Sequence, residues 1–428
     1  MPKVLLITHN PLSSYTNMGK TLQGLVGAFD KDELCQLYIY PSLPDKDTCA
    51  SFYRITDKAV LRGVLTGRVQ GGEVQPVDVS AMFEKAADEK VYRNRKNKTA
   101  VRMLLRDLLW EMARWNNKPL KEWLQAQRPD AIFVAPGTAK FLYDIALWTA
   151  RYLHIPIVTY VCDDYYFSRR AGGLLRHIEG YLLRRKITQL MKRTTCLVAI
   201  SPSLERAYSR EFGCPAVTVM TAAATISAHP LVPAKPTSVT YMGNIRLNRY
   251  LSLAEFGRAL DVFNEKYGLA ITLDIYTAEK DADILSAFDG IDAVCLKGFV
   301  AGEAYQEAFE QTEYLLFAES FQKESRALVK HSVSTKIAES LGSGKCLLAY
   351  GPPELASMQH LTENECALVA TAAEQLPALL ETAFLHPEQT EQVIENALKT
   401  ARTYHDATAV TQAVRAVFEA LSPEEVSV

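Results

Sequence analysis

Residues 332–350 read Ser332-Val-Ser-Thr-Lys-Ile-Ala-Glu-Ser-Leu-Gly-Ser-Gly-Lys345 and then Cys346-Leu-Leu-Ala-Tyr350. Ser334 and Thr335 are suitable N-caps for a helix that begins near Lys336. The amides of a first helical turn have no intrahelical acceptor and face the positive end of the dipole, which makes an anion site. Lys336 adds a full charge beside them. Glu339 follows one turn later, on the same face, where a carboxylate can accept hydrogen bonds from vicinal sugar hydroxyls. Gly342 and Gly344 end the helix and turn the chain into an apolar strand, Cys346 to Tyr350. Phosphate on the amides and ribose on the carboxylate together describe a nucleoside diphosphate.

The same rhythm of strand and helix extends in both directions from this stretch. Upstream lie strands at Ser238 to Met242, Ala270 to Tyr276, Ala293 to Leu296 and Tyr314 to Phe317, with helices at Leu251 to Tyr267 and Ala282 to Phe288. Before them, His229 to Pro236 holds three prolines in eight positions, which bars a helix and reads as a linker. The first half alternates in the same way, with strands at Lys3 to Thr8, Leu34 to Tyr40, Ala131 to Ala135, Ile155 to Cys162, Cys196 to Ile200 and Ala216 to Met220. Parallel strands need crossovers of a dozen or more residues, so the pattern predicts α/β architecture with two doubly wound, Rossmann-like domains. The expected division is 1–230, 231–405 and a terminal helical segment 406–428 that packs back toward the first domain. Ligands of this architecture bind at the carboxyl ends of the strands, in a cleft that the two domains are expected to face.

Composition narrows the function. The chain has 428 residues, 47 Lys plus Arg and 49 Asp plus Glu, for a net charge of -2. That balance argues against a dedicated nucleic-acid binder. No apolar run approaches the roughly 20 residues that cross a bilayer, and the opening Val4-Leu-Leu-Ile7 stops too soon for a secretory signal. The expectation is a cytoplasmic protein. Eight cysteines include no Cys-x-x-Cys pair and eight histidines are dispersed, which fits reduced thiols and no structural zinc.

One region breaks the alternation. Residues 81–127 read as a helical insertion that carries Trp110, Trp115 and Trp123. From Lys90 to Arg106 there are seven basic residues and no acidic one, and a second basic helix holds Arg184, Arg185, Lys186, Lys192 and Arg193. Basic residues and tryptophans together suit an anionic membrane surface, peripheral on the inner face of the cell membrane. A solvated basic face over a tryptophan core is the other reading of the same residues.

The stretch SVSTKIAESLGSGKCLLAYGP resembles the signature of GT-B glycosyltransferases, of the retaining glycosyltransferase family 4 type. The resemblance implies a GT-B fold. It implies that Lys336 binds the pyrophosphate of a nucleotide-sugar donor and that Glu339 holds its ribose. VTYMGNIRLNRYLSL is similar to the family's strand and glycine loop, where Gly243 lets the backbone approach the phosphates and Arg246 or Arg249 pairs with them. LKGFVAGEAYQEAFEQTEYLLFAES resembles the segment that touches the nucleobase, here through Phe299 and Val300. Ser334 and Thr335 join the donor site by their place at the helix start. Gly19 stands where the family's glycine loop faces the donor. Many members carry a glutamate eight residues before the ribose glutamate; His331 occupies that position.

Asp163 and Asp164 directly follow the strand Ile155 to Cys162, at its carboxyl end, where carboxylates can orient an acceptor hydroxyl or accept its proton. A solvated pair that caps the next helix is the alternative. His9, at the end of the first strand, reads as an acceptor contact or an exposed loop histidine. Asp281-Ala-Asp283 spells an Asp-x-Asp, but it precedes a helix whose dipole acidic residues complement, and no metal or other cofactor is expected. The reading is a hexosyl-type transferase that moves sugar from a nucleotide-diphosphate donor to a glycan or lipid-linked acceptor, with retention implied by the resemblance. Lys336, Arg249, Asp163 and Asp164 are the catalytic candidates. A nucleotide-sugar epimerase and a non-catalytic partner protein on the same scaffold are the rivals.

Overall fold

The computed structural model describes residues 2–13, 17–77, 99–168 and 172–421. The chain divides into two compact units, 1–221 with 407–428, and 222–406. The division falls at Thr221/Ala222, ahead of the expected boundary at 230.

The first unit is built on β1 (Val4–Thr8), β2 (Leu34–Tyr38), β3 (Ser51–Arg54), β4 (Gly72–Glu73), β5 (Ala131–Ala135), β6 (Ile157–Val161), β7 (Thr194–Ala199) and β8 (Ala216–Thr218). Its helices are α1 (Asn17–Val26), α2 (Asp57–Thr66), α3 (Ala100–Met112), α4 (Lys118–Gln127), α5 (Lys140–Leu153), α6 (Leu174–Met191) and α7 (Pro202–Phe212). The sheet order is β4-β3-β2-β1-β5-β6-β7-β8, parallel except for the β3–β4 pair. Strand β1 is central, and Val4, Leu5, Leu6 and Ile7 are wholly buried. A side chain of that size contributes about 1.5–3 kcal/mol when taken out of water, so β1 is the apolar spine of the unit. Strand order reverses between β2-β1 and β5, which puts the topological switch point at the carboxyl ends of β1 and β5.

The second unit carries β9 (Ser238–Met242), β10 (Thr272–Tyr276), β11 (Val294–Gly298), β12 (Tyr314–Ala318), β13 (Cys346–Tyr350) and β14 (Leu368–Ala370). The helices are α8 (Arg249–Tyr267), α9 (Ala282–Leu285), α10 (Glu303–Gln311), α11 (Lys323–Val329), α12 (Thr335–Gly342), α13 (Ala356–Glu363), α14 (Leu376–Leu385) and α15 (Pro387–Tyr404). The sheet is parallel throughout, in the order β11-β10-β9-β12-β13-β14, so its switch point lies between β9 and β12. A last helix, α16 (Ala407–Glu419), belongs to the first unit and lies against α1. Arg415 of α16 pairs there with Glu33, Nη1 to Oε2 at 3.0 Å.

One expectation is corrected here and one open alternative is decided. The segment 222–237 is part of the second unit rather than a free linker: Ser227 N donates to Gly342 O and Leu231 N to Gly344 O, each at 2.7 Å. Gly342 is helical and serves this packing, since a Cβ there would stand 2.5 Å from Thr225 O. The tryptophans of the insertion are core. Trp110 and Trp123 are buried, Trp110 stacks on Phe141 at 4.1 Å, and Trp115 meets Trp148 edge-on. Of the basic stretch, Lys90, Arg93, Arg95, Lys96 and Lys98 lie outside the described residues.

Candidate functional site

The second unit holds a cavity of about 220 Å³ at its switch point. The carboxyl ends of β9 and β12 form its floor, through Thr240, Tyr241 and Met242 on one side and Leu315 to Glu319 on the other. Helices supply the walls: Arg249 from α8, Tyr305 and Phe309 from α10, and Lys336, Glu339 and Ser340 from α12, with Ser334 before it.

Lys336 sits against the glycine turn that follows β9. A Cβ built on Gly243 would lie 1.6 Å from Lys336 Nζ, and Gly243 has φ +145°, a conformation that favours glycine. No acceptor among the described residues takes a hydrogen bond from the ammonium, which stands 5.3 Å from the Tyr241 ring centroid. Crowding by protein, and then the Arg249 guanidinium, hold its pKa down to about 8, while Glu319 and Glu339 pull the other way. The side chain stays open to solvent along one side, so an anion can reach it.

Arg249 is the first residue of α8. It meets Glu319, one residue beyond β12, in a bidentate pair with Nε–Oε2 2.9 Å and Nη2–Oε1 2.7 Å. Glu319 is fixed through its backbone as well: its N donates to Tyr350 O, and its O accepts from Ser252 Oγ. The Nη1 group is not taken up by this pair, and the side chain lines the cavity. Two cations and two carboxylates therefore share the cavity, Lys336 and Arg249 with Glu319 and Glu339. Glu339 accepts from Tyr305 OH at 3.4 Å; burial, and then the Glu339 charge, push that phenol up to about 12.

Ser334 holds the N-cap position of α12 with extended backbone, but its hydroxyl caps nothing. Its own amide donates to Ser357 Oγ at 3.2 Å. Thr335 is exposed and off the cavity wall. Arg246 is also off the wall, tied to Glu279 (Nη2–Oε1 2.8 Å) with Asp281 at 3.9 Å. Asp281 itself caps the turn before α9 by accepting from Asp283 N. Phe299 and Val300 lie in the loop after β11, an edge strand separated from β9 by β10. His331 does not line the cavity. Among the described residues no cluster of three or more His, Cys, Asp or Glu side chains could hold a metal ion.

A second cavity, also about 220 Å³, occupies the switch point of the first unit. Thr8, His9 and Asn10 end β1 there, Ala135 to Ala139 follow β5, and Cys162 and Asp163 follow β6. The paired aspartates part company. Asp163 lines the cavity and accepts from Tyr165 OH at 3.0 Å. Asp164 is buried and bound into its own loop, accepting from Tyr166 N and Phe167 N at 2.9 Å and from Tyr208 OH at 3.4 Å. Arg106 reaches the cavity from α3, with Nε on Asp57 Oδ1 and Nη2 on His9 Nε2, both at 2.9 Å. A guanidinium only donates, so His9 Nε2 accepts and the ring proton sits on Nδ1, facing Asn10 Oδ1. Gly19 is buried in α1, whose Met18 and Leu22 reach the cavity instead.

Sequence reading missed Glu319, Tyr305 and Phe309. Glu319 had a signal, as the first residue beyond an apolar strand of a parallel sheet. The spacing of Tyr305 and Phe309, one helical turn apart, marks a shared face but not what that face meets.

A family model described as glycosyl transferase-like matches residues 260–416. No curated protein matches the sequence. Among solved structures, the chain is similar to sucrose-phosphate synthase from Thermosynechococcus elongatus, at TM-score 0.61 and 10% identity, with 98% of each chain covered. It is similar to HepE of Anabaena in complex with UDP and glucose, at TM-score 0.61 and 12% identity over 98% of this chain and 100% of that one. An α,α-trehalose-phosphate synthase (UDP-forming) from Burkholderia vietnamiensis follows at TM-score 0.58 and 11% identity, again over 98% and 100%. The two sheets give the chain the GT-B fold of these solved structures, and residues 260–416 match the glycosyl transferase-like family.

Proposed function

We propose that the protein transfers a hexosyl group, with retention at the anomeric carbon, from a nucleotide-diphosphate sugar to a glycan or lipid-linked acceptor. The observation that carries this reading is Lys336, unpaired over Gly243 at the start of α12 and one turn from Glu339. The diphosphate would lie against Lys336, Arg249 and the first amides of α12, with the ribose on Glu339. As the bond from the anomeric carbon to the diphosphate oxygen breaks, negative charge grows on the leaving group. Fixed cations aimed at that charge are the largest catalytic contribution expected. In the first unit, Asp163 would hold the acceptor hydroxyl and take its proton as the new glycosidic bond forms. The similar structures with UDP or UDP-glucose make UDP-sugars the first donors to test.

A thermal-shift screen against nucleoside diphosphates and their sugars tests the proposal. A ligand at 100 times its dissociation constant stabilises by about 2.7 kcal/mol, readily visible in the melting midpoint. One nucleotide should raise the midpoint of the protein and fail to raise that of Lys336→Ala. A midpoint that no nucleotide moves would refute the donor assignment. Radiolabelled donor with a lipid extract and with soluble glycans then separates the two acceptor classes.

A further inference from the structure

Helices α3 and α6 carry apolar side chains on their outer faces in the same spacing. On α3 these are Val101, Leu105, Leu108 and Met112, and on α6 they are Leu174, Ile178 and Tyr181, with Arg185 next in the series. Steps of four, three and four residues keep each set on one face of its helix. Both faces are exposed: Leu105 is 54% accessible, Met112 60%, Leu174 77% and Tyr181 60%. The opposite faces are core, through Trp110 on α3 and Leu183 and Ile187 on α6. The helices lie side by side. Between them Lys140 of α5, itself buried, reaches Asp107 of α3 at 2.5 Å and Glu179 of α6 at 3.4 Å. Each apolar stripe faces away from the core of the first unit.

The charge along α6 is mostly of one sign, while α3 adds the exposed Glu111, 3.8 Å from Lys186. The described residues 172–193 hold six basic residues and one acid, Glu179, which Lys140 engages inside the unit. Arg102, Arg185, Lys192 and Arg193 are exposed. Against a whole-chain charge of -2, this is a local excess of cations around exposed aliphatic side chains.

We propose that the outer faces of α3 and α6 dock on an anionic lipid bilayer, with Leu105, Leu108, Met112, Leu174, Ile178 and Tyr181 entering the headgroup boundary. Aliphatic and tyrosine side chains enter that boundary while arginine and lysine pair with anionic headgroups. A second copy on the same face would oppose Arg102 and Arg185 to their own equivalents, since an isologous contact pairs a patch with itself. A nucleic acid would leave the aliphatic stripes without a partner. The inference draws on the transferase reading only for the value of a membrane address, which suits a lipid-linked acceptor.

Flotation with vesicles of phosphatidylglycerol and phosphatidylcholine, against phosphatidylcholine alone, tests it in the full-length protein. The protein should float with the anionic vesicles only, and added salt should weaken but not abolish binding. The pairs Leu105→Asp/Met112→Asp and Leu174→Asp/Ile178→Asp should each lower the partition coefficient at least about tenfold. Both should keep the nucleotide-induced thermal shift, which separates loss of docking from loss of the fold or of the donor site. Tyr181→Trp should shift its emission to the blue when anionic vesicles are added. Absence of flotation, flotation unchanged in both Asp pairs, or a dimer in solution that the Asp pairs dissociate would overturn the proposal and leave donor binding untouched.

Discussion

A β-carbon on Gly243 would stand 1.6 Å from the ammonium nitrogen of Lys336, so the lysine holds this position only because residue 243 has no side chain. This contact places the lysine charge at the switch point of the second sheet.

Gly243→Ala should therefore displace Lys336 and weaken nucleotide binding by about the ten- to hundredfold that loss of a charge-assisted hydrogen bond brings. Alanine at φ +145° also strains the backbone, at a cost of about 1 kcal/mol or more. Calorimetric titration of nucleotide into the variant, with its melting midpoint, reads both effects. Wild-type affinity in a folded Gly243→Ala protein would refute the contact's role.

Donor affinity should depend on pH with the sign set by Lys336. Its pKa, about 8 against an ordinary 10.5, means that the free site disfavours the charged form. The folded protein holds fewer protons than the unfolded chain between those values, so this residue's unfavourable effect on stability is full below about 8 and eases as pH rises toward 10.5. A bound diphosphate reverses the preference and raises the pKa. Affinity should be level from neutrality to just under pH 8 and decline above it, with proton uptake on binding at about pH 9. Titrations in two buffers of different ionisation enthalpy measure the uptake, which Lys336→Ala should abolish.

Arg249 and Glu319 should separate stability from binding. Arg249→Ala leaves a buried carboxylate without its partner and should cost about 3 kcal/mol of stability, together with donor affinity. Adding Glu319→Gln removes the stranded charge, so the double variant should recover most of its stability and none of its donor affinity. Urea melts and nucleotide titrations of the two single variants and the double variant decide it.

The adjacent aspartates should differ in kind. Asp164→Ala removes an acceptor from two amides and a phenol in a buried loop and should destabilise by about 1–3 kcal/mol. Asp163→Ala removes the acceptor of Tyr165 OH, so it should cost less stability than Asp164→Ala while lowering turnover by about 10²- to 10⁴-fold, the range for a lost general base. Equal loss of stability in both would argue that Asp163 is also structural.

Much of this arrangement was legible in the residues. Strands β5, β9 and β13 match the expected bounds, because a short run of Val, Ile, Leu and Phe between turn residues has few alternatives to a buried parallel strand. Lys336 and Glu339 were legible because three positions along a helix fix a shared face. Strand β3 and helix α2 escaped notice, since Ser51–Arg54 is too short for a periodic signal and α2 mixes exposed leucines with its few buried residues. The tryptophans allowed two readings. An indole is equally at home in a core or a headgroup layer, and here Trp110 donates to Asp57 and Trp123 to Ser51, both within the first unit.

By itself, then, the sequence determined two doubly wound units and a cationic helix start, features that depend on neighbours along the chain. Tertiary structure alone decided the rest, because it depends on residues far apart in sequence. It placed Glu319 on Arg249, 70 positions away, and turned Arg246 aside to Glu279. It committed Asp164 to its loop and left Asp163 on the cavity wall. It also buried Trp110 and Trp123 and left Leu105, Met112, Leu174 and Tyr181 outside. A helix's pattern of apolar residues says that one face will be covered; which face the core takes first, and which remains for something else, is settled only when the helices pack.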